Sequence, residues 1–327
     1  MQVQFDEMNK TLMKAGKILI LSHRKPDGDT LGSALALKIY LNKLGKLVTL
    51  ACIDKPAKVF SFLPFIEDFV TDFDLNDFDL VIVVDAGASY MTGFQNKYQD
   101  IFSSGIFVIN IDHHASNDNY GTLNIVDADA ASTTLILYRY FKSFGINIDN
   151  NMAQCLIAGL YGDTGSFMHS NTDGEVYKAC GDLLDRGADV GCIARELFKT
   201  RSVKALRLWG KVLEKSFLSP SGVVMSVIKE EDFRKDDLSP EELTGVIDYL
   251  SMVPDTRYAA LISEDRQGNV KGSFRTRVED VDLERIAKVF GGGGHKKASG
   301  FVVPGKLIEE VRYNISTDDG EKSLDFS

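Results

Sequence analysis

The residues best equipped for chemistry in this 327-residue chain are acids and histidines that sit where apolar runs stop. The β-branched stretch from Ile106 to Ile111 ends in Asp112-His113-His114, three side chains able to bind a metal or move a proton. A second run, Lys17 to Leu21, leads into Ser22-His23-Arg24-Lys25-Pro26-Asp27-Gly28-Asp29, and a third, Asp79 to Val84, ends in Asp85. The apolar stretch 151–161 runs into Gly162-Asp163-Thr164-Gly165-Ser166-Phe167. Carboxylates held close together repel unless a cation lies between them, so Asp27 and Asp29, at i and i+2 in a bent loop, suit a hard divalent ion. Of the five histidines, His23, His113, His114 and His295 lie inside such motifs and His169 follows just after one. An oxygen-rich donor set with one or two imidazoles fits Mn²⁺ or Mg²⁺, and two such ions ~3.5–4 Å apart can clamp both oxygens of an in-line phosphoryl displacement. Taken singly, each motif has a plainer reading: a polar turn that stops a strand, or Asp29 capping a helix. Their recurrence is what favours a shared site.

The apolar runs read as buried strands. Helical patterns stand between and around them, at residues 1–16, about Thr30 to Leu44, 131–145 and 151–161. Leu47 to Ile53 is a further strand, and SFLPFIEDF receives no assignment. Strands alternating with helices predict a parallel sheet, whose carboxyl ends converge and carry the ligands. Pro26 and Gly28 place Asp27 and Asp29 in the loop after the first strand.

The pattern restarts after the charge-rich helical stretch ADVGCIARELFKTRSVKALRLWGKVLEKS. The predicted division is a catalytic domain over 1–190, a helical linker over 191–217, a second α/β domain over 218–313 and a polar, frayed tail over 314–327. In the second domain, Val223 to Ile228, Tyr258 to Ser263, Asn269 to Arg277 and Phe301 to Val303 read as strands, and Ser239 to Leu250 and Leu283 to Phe290 as helices. The last helix leads into Gly291-Gly292-Gly293-Gly294-His295-Lys296-Lys297. Four glycines let backbone N–H groups approach an anion, and Arg275, with Ser273 beside it, could grip a phosphate bidentately. A flexible hinge is the plainer reading of the same glycines.

Composition narrows the partners. With 44% hydrophobic and 26% charged residues the chain reads as globular, and a net charge of −10 argues against wrapping long duplex nucleic acid. It leaves room for a short anionic ligand held by metal and a few local cations. No apolar run reaches the ~18–20 residues of a membrane span, and the first residues do not resemble a signal peptide. The four cysteines, Cys52, Cys155, Cys180 and Cys192, are widely spaced. They read as reduced thiols of a cytoplasmic protein rather than as disulfides or zinc ligands.

In order, HRKPDGDTLGS, the Asp85 strand end, IDHH, GDTGSF and GGGGHKKASG resemble the DHH phosphoesterase superfamily. The resemblance spans about residues 5–310 and is to stand-alone members with a DHH domain and a DHH-associated domain, the nanoRNase and 3′-phosphoadenosine 5′-phosphate phosphatase group. It implies an α/β chain with a doubly wound parallel-sheet domain, a smaller mixed-sheet domain and an active site in the cleft between them. It further implies His23, Asp27, Asp29, Asp85, His113 and Asp163 as ligands of two divalent ions, with Asp85 and Asp163 bridging. Mn²⁺ is the ion expected, with Mg²⁺ or Co²⁺ as substitutes. His114 would face the scissile phosphate, and Asp112 would orient a histidine. Ser273, Arg275 and the loop Gly291, Gly292, Gly293, Gly294 and His295 would hold the far end of the substrate. The implied substrates are short oligoribonucleotides and 3′-phosphoadenosine 5′-phosphate, with cyclic di-adenosine monophosphate or its linear product as the alternative. The resemblance also allows a homodimer. A catalytically silent nucleotide sensor is the rival of another class, but none of the implied ligands is missing. Three positions depart from the common pattern: Ala88 and Met91 stand where members often have Asx and Arg, and Leu135 where many have Glu.

Overall fold

A parallel sheet of β-branched residues is stable only when both of its faces are covered. The computed structural model, which describes residues 1–98, 101–102, 105–198, 202–234, 238–309, 313–317 and 320–324, meets that requirement in the first of two compact units, Met1–Thr200 and Arg201–Ser327. The first unit runs α1 (Gln2–Lys14), β1 (Lys17–Leu21), α2 (Gly28–Lys43), β2 (Leu47–Ala51), β3 (Phe69–Val70), β4 (Leu80–Val84), β5 (Phe107–Asp112) and β6 (Leu123–Val126). It continues with α3 (Thr133–Ser143), α4 (Asn150–Asp163), α5 (Gly174–Asp185) and α6 (Val190–Phe198). Its six strands are all parallel, in the order β3-β2-β1-β4-β5-β6. The chain builds outward from β1 in one direction, then restarts at β4 and builds in the other. The crevice beyond β1 and β4 is therefore a topological switch point, where open sheets of this kind bind ligands.

Alternation along the strands sorts the core. Ile18, Ile20, Ile82, Ile109 and Ile111 pack with residues of α2, α3 and α4 such as Leu35, Ile136 and Leu156. Leu19, Leu21, Val81, Val83 and Val108 face the other way, against Phe94, Ile101 and the partly buried Phe73 and Tyr98. Among the described residues that second face is covered by short 3₁₀ turns and loops rather than by α-helices. Helices α2 and α4 touch backbone to backbone. A Cβ on Gly32 would lie 2.3 Å from the Cys155 carbonyl oxygen, and one on Gly28 3.1 Å from that of Ala158. This close crossing matters because the two helices carry Asp29 and Asp163.

The second unit contains α7 (Val203–Glu214), β7 (Phe217–Leu218), β8 (Val223–Ile228), α8 (Glu230–Arg234), α9 (Val246–Leu250), β9 (Tyr258–Glu264) and β10 (Asn269–Arg275). It goes on to α10 (Leu283–Val289), β11 (Gly293–His295) and β12 (Ala298–Pro304). Its sheet has the order β11-β12-β10-β9-β8-β7 and is mixed, with β8 and β9 parallel and the other pairings antiparallel. The charge-rich stretch read as a connector contributes α6 to the first unit and α7 to the second.

Three readings of the sequence are corrected. The helix expected over Ser239–Leu250 is a 3₁₀ turn, Pro240–Leu243, followed by the short α9, because Gly245 takes the left-handed conformation at φ +91° and ends the first element. The polar tail is not frayed throughout: β13 (Tyr313–Thr317) and β14 (Gly320–Leu324) pair as an antiparallel hairpin, with the strand formers Tyr313, Ile315 and Thr317 in the first arm. The glycine run is not an open loop, since Gly293–His295 forms β11 against β12. Strands β3 and β6 and helix α5 have no counterpart in the sequence reading.

Candidate metal centre and active site

Strands β1, β4 and β5 are neighbours, so their carboxyl ends bring His23, Asp85, Asp112, His113 and His114 to one edge. Helix α2 starts at the same edge and α4 ends there. Asp27 is the N-cap of α2, its Oδ1 accepting from the N–H groups of Asp29 (3.0 Å) and Thr30 (3.2 Å). Asp29 therefore lies in the first helical turn and not, as the sequence suggested, in the loop. It is fully buried, and its carboxylate accepts from Thr133 N (2.6 Å), Thr134 N (2.9 Å) and Thr134 Oγ1 (2.7 Å) at the start of α3. A helix N-terminus is a favourable seat for a carboxylate, since its orphan N–H groups need acceptors. Asp85 sits at the end of β4 in the left-handed region, φ +58°. For a non-glycine residue this costs on the order of 1–3 kcal/mol, though aspartate bears it better than most. The turn points its carboxylate into the site, where Thr133 Oγ1 donates to Oδ1 at 3.1 Å.

Asp85 is the hub. His23 Nε2 lies 3.5 Å from its Oδ2, and His113 Nε2 and His114 Nδ1 lie 3.6 and 3.7 Å from its Oδ1. His23, Asp27 and Asp85 form one group whose donor atoms all lie within 4.8 Å of one another; Asp29, Asp85 and His113 form a second. Asp163, at the end of α4, reaches His113 Nε2 at 3.1 Å through Oδ2. Both histidines present the same nitrogen. His23 Nδ1 is 2.7 Å from the Arg24 carbonyl and His113 Nδ1 is 3.2 Å from that of Ala130. A carbonyl can only accept, so each Nδ1 carries the proton and each Nε2 is turned to the carboxylates, the arrangement that readies an imidazole for a metal. His114 differs: its Nδ1 is 2.7 Å from Oδ1 of the fully buried Asp112, which is the hydrogen-bond partner of that nitrogen.

The electrostatics of the cluster show too many acids for its space. Burial would raise Asp85, but its hydrogen bond to His23 and the positive charges of His23, His113 and His114 hold it below the usual carboxylate range. Burial raises Asp29 well above that range, helped by the like charges of Asp85 and Asp163. Asp163 is pushed up to about 6 by burial together with Asp27 and Asp85, against the pull of His113. Burial would lower His113, yet its bond to Asp163 and the charges of Asp85 and Asp29 raise it instead. Protons and imidazolium ions thus supply the positive charge that divalent cations can replace. Carboxylate oxygens with a few imidazole nitrogens are the donor set of Mn²⁺- and Mg²⁺-type sites, so the residues present fit a divalent metal centre.

In the second unit, Ser273 and Arg275 line a cavity of about 160 Å³ with Thr244, Gly245, Ser263 and Lys271. Arg275 is held on two sides: Nη1 donates to the Phe274 carbonyl at 3.0 Å, and Nε lies 3.3 Å from Asp248 Oδ1 on α9. The glycine run is narrower as an anion cradle than the sequence suggests. The N–H groups of Gly291 and Gly292 donate to Lys288 O and Ala287 O at the end of α10. A Cβ on Gly292 would lie 2.1 Å from Gly300 O, and one on Gly294 2.7 Å from Ala298 O. Gly292 and Gly294 are therefore required by packing against β12 whatever they bind. Lys297 is turned to Glu279 at 3.2 Å, whereas His295 and Lys296 are exposed.

Sequence reasoning missed the residues that hold the candidate ligands. Thr133 and Thr134 were read as helix, yet they fasten Asp85 and Asp29. Gly159 was read as part of an apolar helix, but a Cβ there would lie 2.4 Å from Asp29 Oδ1 and 2.5 Å from Thr134 Oγ1. Gly159→Ala is expected to fold with a lowered Tm and to weaken divalent-metal binding by about 10–100-fold, the usual scale for groups that orient ligands. Calorimetric titration with Mn²⁺ measures this, and unchanged affinity would show that Asp29 can shift without consequence. Of the departures from the common pattern, Leu135 is buried in the core, where an unpaired acid would be costly. Met91 packs on the far face of the sheet, and its carbonyl accepts from Arg24 N at 2.8 Å.

Comparison with known proteins identifies the family and the fold. Residues 17–160 match the DHH family N-terminal domain, and residues 220–316 match the DHHA1 domain. The bifunctional oligoribonuclease and PAP phosphatase NrnA of Thermus thermophilus is 29% identical over 298 residues, 90% of this chain and 87% of that protein. The protein of the same name from Bacillus subtilis is 27% identical over 299 residues, 90% and 91% of the two chains. The crystal structure of an exopolyphosphatase-related protein from Bacteroides fragilis superposes with a TM-score of 0.87 at 26% identity, covering 94% of this chain and 93% of its own. RecJ from Thermus thermophilus, solved in complex with Mn²⁺, shares the fold at a TM-score of 0.51 and 17% identity, over 92% of this chain and 52% of RecJ. No described helix is long and apolar enough to cross a membrane. With its strand-end acids, its Asp-His-His motif and its second mixed-sheet unit, the chain belongs to the DHH phosphoesterase family and carries a DHHA1 domain.

Proposed function

We propose that this chain hydrolyses short oligoribonucleotides and 3′-phosphoadenosine 5′-phosphate, with Mn²⁺ as the working ion. The observation that carries the reading is the sharing of Asp85 between two adjacent donor groups, one with His23 and Asp27 and one with Asp29 and His113. Its bond partner for His113, Asp163, closes the set. The substrate class rests on the names of the Thermus thermophilus and Bacillus subtilis relatives and on the acidic net charge of −10. Two bound divalent ions would polarise the phosphoryl oxygens and activate water for in-line attack. The chain's own part is to fix the geometry. His23 and His113 offer Nε2, and the carboxylates of Asp27, Asp29, Asp85 and Asp163 surround them. His114, steadied by Asp112, donates a hydrogen bond to the scissile phosphate. Ser273, Arg275, Gly293, Gly294 and His295 take the other end of the substrate, with Arg275 supplying charge-assisted bonds to a phosphate.

A protein gripping a long strand needs many phosphate contacts, each adding affinity and salt dependence. Here the cations named for that task are few, and Lys297 is already paired with Glu279. Substrates of two to about five nucleotides should therefore have the highest kcat/KM, with a steep fall beyond. Arg275→Ala should raise KM about tenfold and change kcat little, because the contact serves ground state and transition state alike. The test is one panel with Mn²⁺: oligoribonucleotides from two to twenty residues, 3′-phosphoadenosine 5′-phosphate, cyclic di-adenosine monophosphate and pyrophosphate. Rates that climb steadily to the longest RNA would overturn the length preference. Dominant turnover of the cyclic dinucleotide or of pyrophosphate would overturn the substrate class.

A further inference from the structure

Asn110 is a buried amide in the middle of a buried strand. It lies at the fourth position of β5, 0% exposed, flanked by Val83 on β4 and Asn124 on β6. Burying an amide without partners costs roughly 1–3 kcal/mol, so its place needs a reason. Its Nδ2 donates to Asn117 Oδ1 at 2.9 Å and to Asn124 Oδ1 at 3.0 Å. Asn117 Nδ2 in turn donates to Asp112 Oδ2 at 2.6 Å, and Asp112 Oδ1 faces His114 Nδ1 at 2.7 Å. The amide orientations are forced from both ends. Asp112 as a carboxylate can only accept, so Asn117 must turn its NH₂ to it and its oxygen to Asn110. From the far end, Asn124 Nδ2 is spent on the carbonyls of Asn119 and Gly121, so its oxygen faces Asn110, which must answer with its own NH₂. One polarity satisfies every link, and it ends by giving His114 an acceptor at Nδ1.

We propose that Asn117, with Asn110 behind it, is a positioning residue for His114. Through Asp112 it fixes the side chain's rotamer and keeps the Nδ1 proton in place, so that Nε2 is the nitrogen turned to substrate. The inference rests on the reading that His114 faces the scissile phosphate. A merely structural role would lower stability and leave the imidazole's chemistry alone, and this difference can be measured.

The experiment is a double-mutant cycle on the Mn²⁺-loaded enzyme with a dinucleotide substrate, using Asn117→Ala, His114→Ala and the pair. Asn117→Asp is run alongside, because it keeps the oxygen that accepts from Asn119 N (2.8 Å) and sets a second carboxylate against Asp112 in place of the donor. Asn117→Ala and Asn117→Asp should each lower kcat by about 10–100-fold, with KM within about threefold and metal content unchanged. In the His114→Ala background, Asn117→Ala should cost no more than about a further twofold, as expected for residues acting as one unit. ¹⁵N histidine NMR of the wild type should show a protonated, hydrogen-bonded Nδ1 on His114 beside the Nε2–H that meets the phosphate, and Asn117→Asp should shift the Nδ1 resonance. If His114→Ala is nearly as active as wild type, the role given to His114 fails, and this proposal falls with it. If His114→Ala is crippled while both Asn117 variants are near normal, or if the two losses multiply, the positioning role alone is overturned. Should Asn117→Ala fail to fold, the kinetics and NMR of the near-isosteric Asn117→Asp decide the question.

Discussion

Metal-stripped protein is expected to turn over none of the phosphoester substrates, and added Mn²⁺ to restore full activity. The reason lies in the charge balance at the switch point. Asp27, Asp29, Asp85 and Asp163 crowd around His23 and His113, and without divalent ions the balance is kept by protons and imidazolium. Such a cluster is stable but has nothing to draw electrons from a phosphoryl group. Binding of divalent ions must displace those protons, so affinity should fall as pH drops through about 6, where Asp163 takes up its proton. Because the ions bind the native arrangement, they should also raise Tm, by the equivalent of about 2.7 kcal/mol at a hundredfold excess over Kd. Activity, metal content and Tm measured together on EDTA-treated and reloaded protein make the check. Full activity at vanishing metal content would end the metal mechanism.

The candidate ligands were legible in the sequence because strand ends are a local signal. A β-branched run that stops in an acid or a histidine declares both the strand and the edge it reaches. The parallel sheet then brings His23, Asp85 and His113 together on β1, β4 and β5 without further information. What holds those ligands was not legible, since it depends on contacts between residues far apart in the chain. Thr133 and Thr134 read as ordinary helix residues until α3 is placed with its N-terminus against Asp29, more than a hundred positions earlier. Asn110 read as one residue of an apolar strand, and only the register with Asn124 on β6, a strand not read at all, gives its amide a partner. Local geometry misled in two places. Gly28 looked like a loop residue, but with Asp27 as N-cap it is the first residue of α2, which is what carries Asp29 into the core. The glycine run looked like a flexible cradle, but the approach of β12 to Gly292 and Gly294 turns part of it into a strand.

Asp85→Asn is expected to lower kcat by at least ~10³-fold, the scale on which electrostatic stabilisers of a transition state act. The substitution is nearly isosteric. Asparagine tolerates the left-handed backbone that Asp85 adopts at φ +58°, and its side-chain oxygen can still accept from Thr133 Oγ1. The apolar core is untouched, so the fold should survive in the metal-free protein, with a Tm lowered by the loss of the carboxylate's pairing with His23, His113 and His114. What is lost is a charge. Asp85 is the one acid common to both groups of donors that include His23 and His113, so neutralising it weakens two cation positions at once. Asp27→Asn provides the internal comparison. Asparagine is as good an N-cap as aspartate, so α2 keeps its start, and only the group shared with His23 is affected. Its loss of kcat should therefore be clearly smaller than that of Asp85→Asn, with at least part of the bound Mn²⁺ retained. A near-normal rate for Asp85→Asn, or a larger loss for Asp27→Asn, would mean that Asp85 does not join the two positions and that the chemistry is centred elsewhere in the cluster.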